Sequence, residues 1–461
     1  MNGKHKNKIV LILITNMKFM LTFEKIRIRW PINGYISLMR FFNLIMKKNA
    51  DLYSALWAIV AAFGTYFCMY GFRKPFTSAG YSEIDFFGFD FKTILVASQV
   101  LGYTLSKFIG IKFISEMPYQ GRAVGILVLI GFSHISLLGF ALLPVPLNCM
   151  MLFFNGLSLG MVFGLVMGFL EGRRYTEALL GFLCASFILA DGFCKSVGSF
   201  LLLNGVSENF MPFVSGVFFI IPLLVFTWML SRIPQPMSVD IVARSERSPM
   251  FVEDRKRFFS KYYLGLSLII FVYLLVTILR SIRADYALEI WKGLGFESKP
   301  ENFTISELWV TLGIVVSSSV MILVKDNRKA FYLGLFICLL GFILTLIAVI
   351  GLQVNFLSGF WFMVLVGLGL YLPYVVVHTT IFERLLAMTR EKGNCGYLMY
   401  LADAIGYLGY VAVIISNSFV SKQISVLNLF VIMVSLISVI SCVLVVFAWI
   451  YFVKKVGDTA A

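Results

Sequence analysis

Apolar residues fall in long unbroken runs along this chain, and polar residues gather between the runs rather than alternating within them. A run of about 18 apolar positions is long enough to cross the roughly 30 Å hydrocarbon layer as a helix, which satisfies its own backbone polar groups. The runs and their breaks predict spans near 52–80, 92–114, 122–143, 147–172, 177–204 and 211–232. A second set follows near 262–290, 304–324, 330–352, 356–386, 393–420 and 426–454. Between the sets lies Arg232 to Lys261, rich in Pro, Ser and both charges, which reads as a linker. The pattern predicts an all-α membrane protein of about twelve transmembrane helices in two six-helix halves. Its expected division is a basic segment 1–50, a bundle 51–232, a cytoplasmic linker 233–261, a second bundle 262–454 and a tail 455–461.

Composition agrees: 59% of the residues are apolar and 14% charged, against roughly 25% charged in a soluble domain. The net charge of +15 raises nucleic acid as a partner, but its distribution argues against that. Ten of the 39 basic residues lie in the first 48 positions. If the spans alternate in direction, nineteen more fall in the loops of one side, including Arg122, Arg173, Arg174, Arg232, Lys256, Arg328, Arg384 and Lys454. The other side holds only Lys92, Lys292, Lys299 and Lys422. This bias predicts that both termini and the linker are cytoplasmic, in a membrane read as a bacterial plasma membrane. The apolar patch Ile9 to Thr15 is too short to span and no small-residue cleavage site follows it. The first 45 residues read either as an arm on anionic lipid or as a stretch upstream of a true start at Met46.

The seven cysteines show no CxxC or Cys/His spacing, and the three histidines form no HExxH pair, so no metal or cofactor is expected. No Walker A sequence and no recognisable nucleophile–base arrangement occur, which points away from an enzyme and from ATP-driven transport.

Ten ionisable residues remain inside or at the edge of the apolar spans: Arg73, Lys74, Lys107, Lys195, Arg280 and Arg283 against Asp191, Asp285, Glu307 and Asp403. Each costs about 2.5–3.5 kcal/mol at mid-membrane on insertion scales, so each needs a partner or a cargo. Asp191 and Lys195, four apart on one helix, could neutralise each other. Lys107 could snorkel to headgroups, and Glu307 lies near a helix end where water could reach it. Six cations against four anions leave positive charge over, which favours an anionic solute. Arginine presents a planar fork of donors suited to phosphate or carboxylate, so Arg73 and Arg280 are expected to form a clamp, one from each half. Lys74 and Arg283 are adjacent alternates, held by Asp285, Asp403 or Glu307.

Twelve spans with a central linker resemble the major facilitator superfamily. YFCMYGFRKPF (Tyr66 to Phe76), GYTLSKFIG (Gly102 to Gly110) and FVYLLVTILRSIRADY (Phe271 to Tyr286) are similar to the first, second and seventh helices of the organophosphate:phosphate antiporter family. GLGLYLPYVVVH (Gly367 to His378) and GYLMYLADAIGYLG (Gly396 to Gly409) resemble its tenth and eleventh. The resemblance implies phosphate coordination by Arg73 and Arg280 with Lys107 beside them, and a path lined by Tyr66, Tyr70 and Tyr371. Lys195, in FCKSVGS (Phe193 to Ser199), stands where that family carries a histidine, which implies a substrate-binding cation that strengthens anion binding. The loop GIKFISEMPYQGR (Gly110 to Arg122) matches the superfamily's cytoplasmic signature only loosely. Gly156, Gly160, Gly164 and Gly168 recur every four residues, a small-residue face for close helix packing or for gating. Pro212, Pro222 and Pro373 mark bends.

The residues support three readings. The first is a secondary transporter of a small anionic, phosphorylated metabolite that exchanges it for inorganic phosphate. The second is a proton symporter of a neutral or carboxylate solute, with Asp191, Asp403 or Glu307 carrying the proton. The third is a non-transporting sensor of the same fold.

Overall fold

A computed structural model describes residues 50–81, 85–86, 89–170, 176–234, 252–296, 299–389, 395–420 and 425–457. The basic N-terminal arm, most of the linker and the loop residues Arg173, Arg174, Arg390, Lys392 and Lys422 lie outside the described residues.

Among the described residues, twelve long helices follow one another. The first six are α1 (Ala50–Tyr70), α2 (Phe91–Glu116), α3 (Arg122–Leu142), α4 (Leu147–Leu170), α5 (Thr176–Leu203) and α6 (Met211–Ser231). The second six are α7 (Val252–Asp285), α8 (Pro300–Leu323), α9 (Asn327–Gln353), α10 (Gly359–Thr389), α11 (Cys395–Val420) and α12 (Val426–Gly457). Helix starts and stops follow local chemistry. Pro212 and Pro300 occupy first turns, where a missing N–H costs nothing, and Asp326 caps α9 by accepting from the Lys329 N–H at 2.7 Å.

Eleven of the described helices are long and apolar enough to cross a membrane. The exception, α2, carries Gln99, Thr104, Ser106 and Lys107, all buried, so its polar face turns into the bundle. Outward faces are apolar instead: Val128 and Ile135 on α3 and Phe218 and Ile221 on α6 are exposed, as a lipid-facing surface requires.

Three elements differ from the expectation. The first span does not continue to residue 80. Its helix stops at Tyr70, Gly71 and Phe72 turn, and a 3₁₀ segment (Pro75–Ser78) begins at a proline that cannot extend an α-helix. Arg73 and Lys74 therefore sit on a turn, not inside a helix. A two-residue hairpin, Asp85–Phe86 with Phe89–Asp90, then leads into α2. Helical structure also reaches back into the expected linker, to Val252, before a kink at Tyr262. Glu, Lys and Arg are good helix formers, so polarity there marks solvent rather than coil.

The halves meet along two helix pairs, α5 with α8 and α2 with α11. Glycine makes the first of these close: a Cβ on Gly192 would stand 2.2 Å from the Phe303 carbonyl oxygen. Within the first half, a Cβ on Gly156 would stand 2.0 Å from the Gln99 carbonyl oxygen, and one on Gly160 would meet Tyr103 and Ser106. The glycine face of α4 thus seats α2 tightly.

Candidate functional site

Where the halves face each other, the buried acids take up all but two of the buried cations named from the sequence. Lys74 donates to Asp285 Oδ1 at 2.5 Å across the interface and lies 3.6 Å from Asp191. Lys195 pairs with Asp191 on its own helix. Lys107 reaches Asp403 Oδ2 at 2.9 Å, again across the interface. Arg283 binds Glu307 at 2.6 Å and the Met363 carbonyl at 2.9 Å. Glu307 is thus buried and paired rather than open to water, and Lys107 does not snorkel.

Arg73 and Arg280 are left. Each is 5% exposed, and among the described residues neither has a carboxylate within 4.0 Å. Their Nε atoms have no hydrogen-bond partner among those residues. Arg73 lies over the Tyr103 ring, 3.9 Å from its centroid, and Arg280 over Tyr374 at 4.4 Å. Arg280 also donates to the Tyr407 hydroxyl at 3.3 Å, and Tyr407 meets Tyr103 edge-on at 5.2 Å. A layer Arg73–Tyr103–Tyr407–Arg280 therefore crosses from one half to the other. Cation–π contact returns about 0.5–2 kcal/mol. The insertion cost of about 2.5–3.5 kcal/mol per charge is larger, so rings alone leave these guanidinium groups under-compensated.

The turn that presents Arg73 is held from behind. Ending α1 at Tyr70 frees the carbonyls of Phe72 and Arg73, which must find donors. Asn155 Nδ2 donates to Phe72 O at 2.9 Å and to Ser133 Oγ at 2.7 Å, and Gln99 Nε2 donates to Arg73 O at 3.0 Å and to Asn155 Oδ1 at 2.8 Å. Two amides on neighbouring helices thus fix the backbone beneath the guanidinium.

Residues 75–455 match a family of unknown function, DUF5690. The chain belongs to that family. No curated protein matches it. Of 261 solved chains that match, one is a crystal structure of a D-xylose-proton symporter, with a TM-score of 0.58 and 14% identity over 86% of this chain and 97% of that one. The likeness is one of fold: two six-helix halves in the major facilitator arrangement.

In this DUF5690 member the tyrosines read from the sequence gather around the arginine layer. Tyr70 lies 5.6 Å from the Arg73 guanidinium and Tyr371 5.8 Å from that of Arg280, while Tyr66 packs edge-on against Tyr70. A narrow cavity beside the layer is lined by Tyr66, Tyr70, Tyr103, Tyr374, Tyr407 and Lys107, among others. Inter-half contacts lie on either side of the layer along α2. Towards its start, Lys92 bonds Glu289 at 2.6 Å and the Thr77 carbonyl at 2.9 Å, and Thr93 meets the Tyr286 hydroxyl at 2.9 Å. Towards its end stands Lys107–Asp403. Lys92 was expected in a polar loop but is 1% exposed, because the halves close over it.

Several residues of the site carried no sequence signal of charge: Gln99, Asn155, Tyr103, Tyr374, Tyr407 and Tyr273. His378 ended a motif without a role. It sits in a π turn (Val377–Ile381) following Pro373, whose missing N–H disturbs the helical ladder. Of the superfamily-like loop, Arg122 donates to the Gly168 carbonyl at 2.6 Å, and the side chain of Glu116 lies outside the described residues.

Proposed function

We propose that this protein is a secondary transporter of a small anionic, phosphorylated metabolite, bound between Arg73 and Arg280 and moved by rocking of the two halves. The observation that carries the reading is the charge pairing. Four acids neutralise Lys74, Lys107, Lys195 and Arg283, and the two arginines left over rest, one from each half, against Tyr103 and Tyr374, which line one narrow cavity. A dianion matches the two residual charges, and a phosphate group accepts from both guanidinium forks. Tyr66, Tyr70 and Tyr371 supply hydroxyls and ring faces around it. Lys195 is held by Asp191 on its own helix and is assigned no contact with the cargo. Inorganic phosphate is the proposed exchange partner, after the antiporter-like motifs. The proposed orientation places both termini in the cytoplasm of a bacterial plasma membrane.

The experiment is exchange in liposomes loaded with inorganic phosphate. Uptake of labelled phosphate that depends on internal phosphate, and is lost in Arg73→Lys, supports the reading. Full uptake by a well-folded Arg73→Lys variant sinks the clamp. A second reading, proton symport of a neutral or carboxylate solute, draws on the solved symporter of like fold and on the buried Asp403. Uptake that collapses with the proton gradient and ignores internal phosphate would favour it. Ligand binding without flux would favour a sensor.

A further inference from the structure

One carboxylate, Asp403, faces two groups able to carry its counter-charge, and they belong to different halves. Lys107 on α2 reaches Oδ2 at 2.9 Å. His378 on α10 places Nε2 3.3 Å from Oδ1. Tyr273 on α7 donates to the same Oδ1 at 2.5 Å and lies 3.1 Å from the imidazole, bridging acid and histidine. The second ring nitrogen of His378, Nδ1, has no partner among the described residues, although the residue is 3% exposed. His378 and Asp403 line the same cavity as the tyrosines of the arginine layer. The other titratable groups near the cluster are Arg280 on α7, Tyr103 on α2, Tyr374 on α10, Tyr400 and Tyr407 on α11 and Cys184 on α5.

We infer that this cluster is a proton-binding site in which protonated His378 replaces Lys107 as the counter-ion of Asp403, untying α2 from α11. The inference rests on the alternating-access reading above. Asp403 supplies one negative charge and so neutralises one of the two cations at a time. With Lys107 in place, the ion pair ties the halves together. Opening at this end separates α2 from α11 and takes Lys107 away, and a buried carboxylate left alone costs several kcal/mol. A proton from the aqueous phase bonds to Nδ1, and the resulting imidazolium donates Nε2–H to Asp403. Charge is then balanced within the second half alone. Lys107 stays an ammonium, solvated by the entering water or turned towards an anion in the cavity. On closure Lys107 returns to Oδ2 and Nδ1 gives its proton back to water. Each opening at this end therefore takes up one proton.

Hydrogen–deuterium exchange of the purified protein, with no solute added, tests this at about pH 8 and about pH 5.5, on either side of the histidine range. Peptides from the Lys107 end of α2 and the Asp403 end of α11 report the opening, after correction for intrinsic exchange. One linked proton allows at most tenfold per pH unit, and at least about threefold faster exchange is expected at the lower pH. His378→Gln is expected to stay protected at both pH values, and Asp403→Asn to exchange fast at both. Absence of a pH response in the wild type, or its survival in His378→Gln with an unchanged melting temperature, overturns the inference. So does wild-type protection in Asp403→Asn. No cargo is involved, so failure here and failure of phosphate exchange are seen separately.

Discussion

The guanidinium of Arg73 rests 3.9 Å from the centre of the Tyr103 ring, with no carboxylate beside it among the described residues. Lys107, one turn further along the same helix as Tyr103, has a carboxylate at 2.9 Å. The bundle thus pairs one of these cations with a carboxylate and seats the other on a ring. Arg280, over Tyr374 on the other half, is in the same condition.

Conservative replacement at these positions separates geometry from charge. Arg73→Lys and Arg280→Lys keep the cation but lose the planar fork. Each is expected to weaken phosphate binding at least about tenfold, which is about 1.4 kcal/mol, with little change in melting temperature. Calorimetric titration with inorganic phosphate reads the first, and a thermal melt of the same preparation reads the second.

The amides behind Arg73 predict a different signature. Asn155→Leu removes the donor to Phe72 O and strands Ser133 and Gln99, and each buried polar group left unmet costs about 1–3 kcal/mol. A lower melting temperature and weaker phosphate binding are expected together, whereas Asn148→Ala, buried but outside this network, should leave binding alone.

The helices were readable because a membrane span announces itself locally: a run of apolar residues long enough is sufficient. The end of α1 was not, since Phe72 and Phe76 carry the apolar pattern past Arg73 and Lys74 while the backbone leaves the helix, and hydropathy does not register torsion angles. The ten buried charges were visible individually, but not their pairing. Lys74 and Asp285 are 211 residues apart, and only the fold brings them together. Lys92 was misread for the same reason, because its partner Glu289 lies in the other half. Gln99, Asn155 and His378 were overlooked because an uncharged polar residue in an apolar run looks like ordinary helix packing.

Lys74 and Asp285 should behave as a unit. Removing one partner leaves a buried charge uncompensated, and about 3–5 kcal/mol is expected for Lys74→Met or Asp285→Leu alone. The double variant should recover much of that loss, which a double-mutant cycle of unfolding free energies measures. Recovery will be incomplete, because Tyr410 also donates to Asp285 Oδ2 at 2.9 Å.

The tight seat of α2 on α4 predicts intolerance to a single methyl group. A Cβ on Gly156 stands 2.0 Å from a backbone carbonyl oxygen that no side-chain rotation can move. Gly156→Ala is expected to destabilise by about 1–3 kcal/mol through overpacking. Gly131→Ala, with open space around it, should be neutral in the same thermal-unfolding assay.

The central claim is that Arg73 and Arg280 await an anion. It is tested most directly by the melting temperature of the purified protein against inorganic phosphate, phosphate esters, dicarboxylates and neutral sugars, repeated with Arg73→Ala. Ligand at about 100 times its Kd stabilises by about 2.7 kcal/mol, a shift of several degrees at the scale of one domain. The account predicts a rise with phosphates that disappears in Arg73→Ala. A rise with neutral sugars alone, or one with phosphates that persists unchanged in Arg73→Ala, would contradict it.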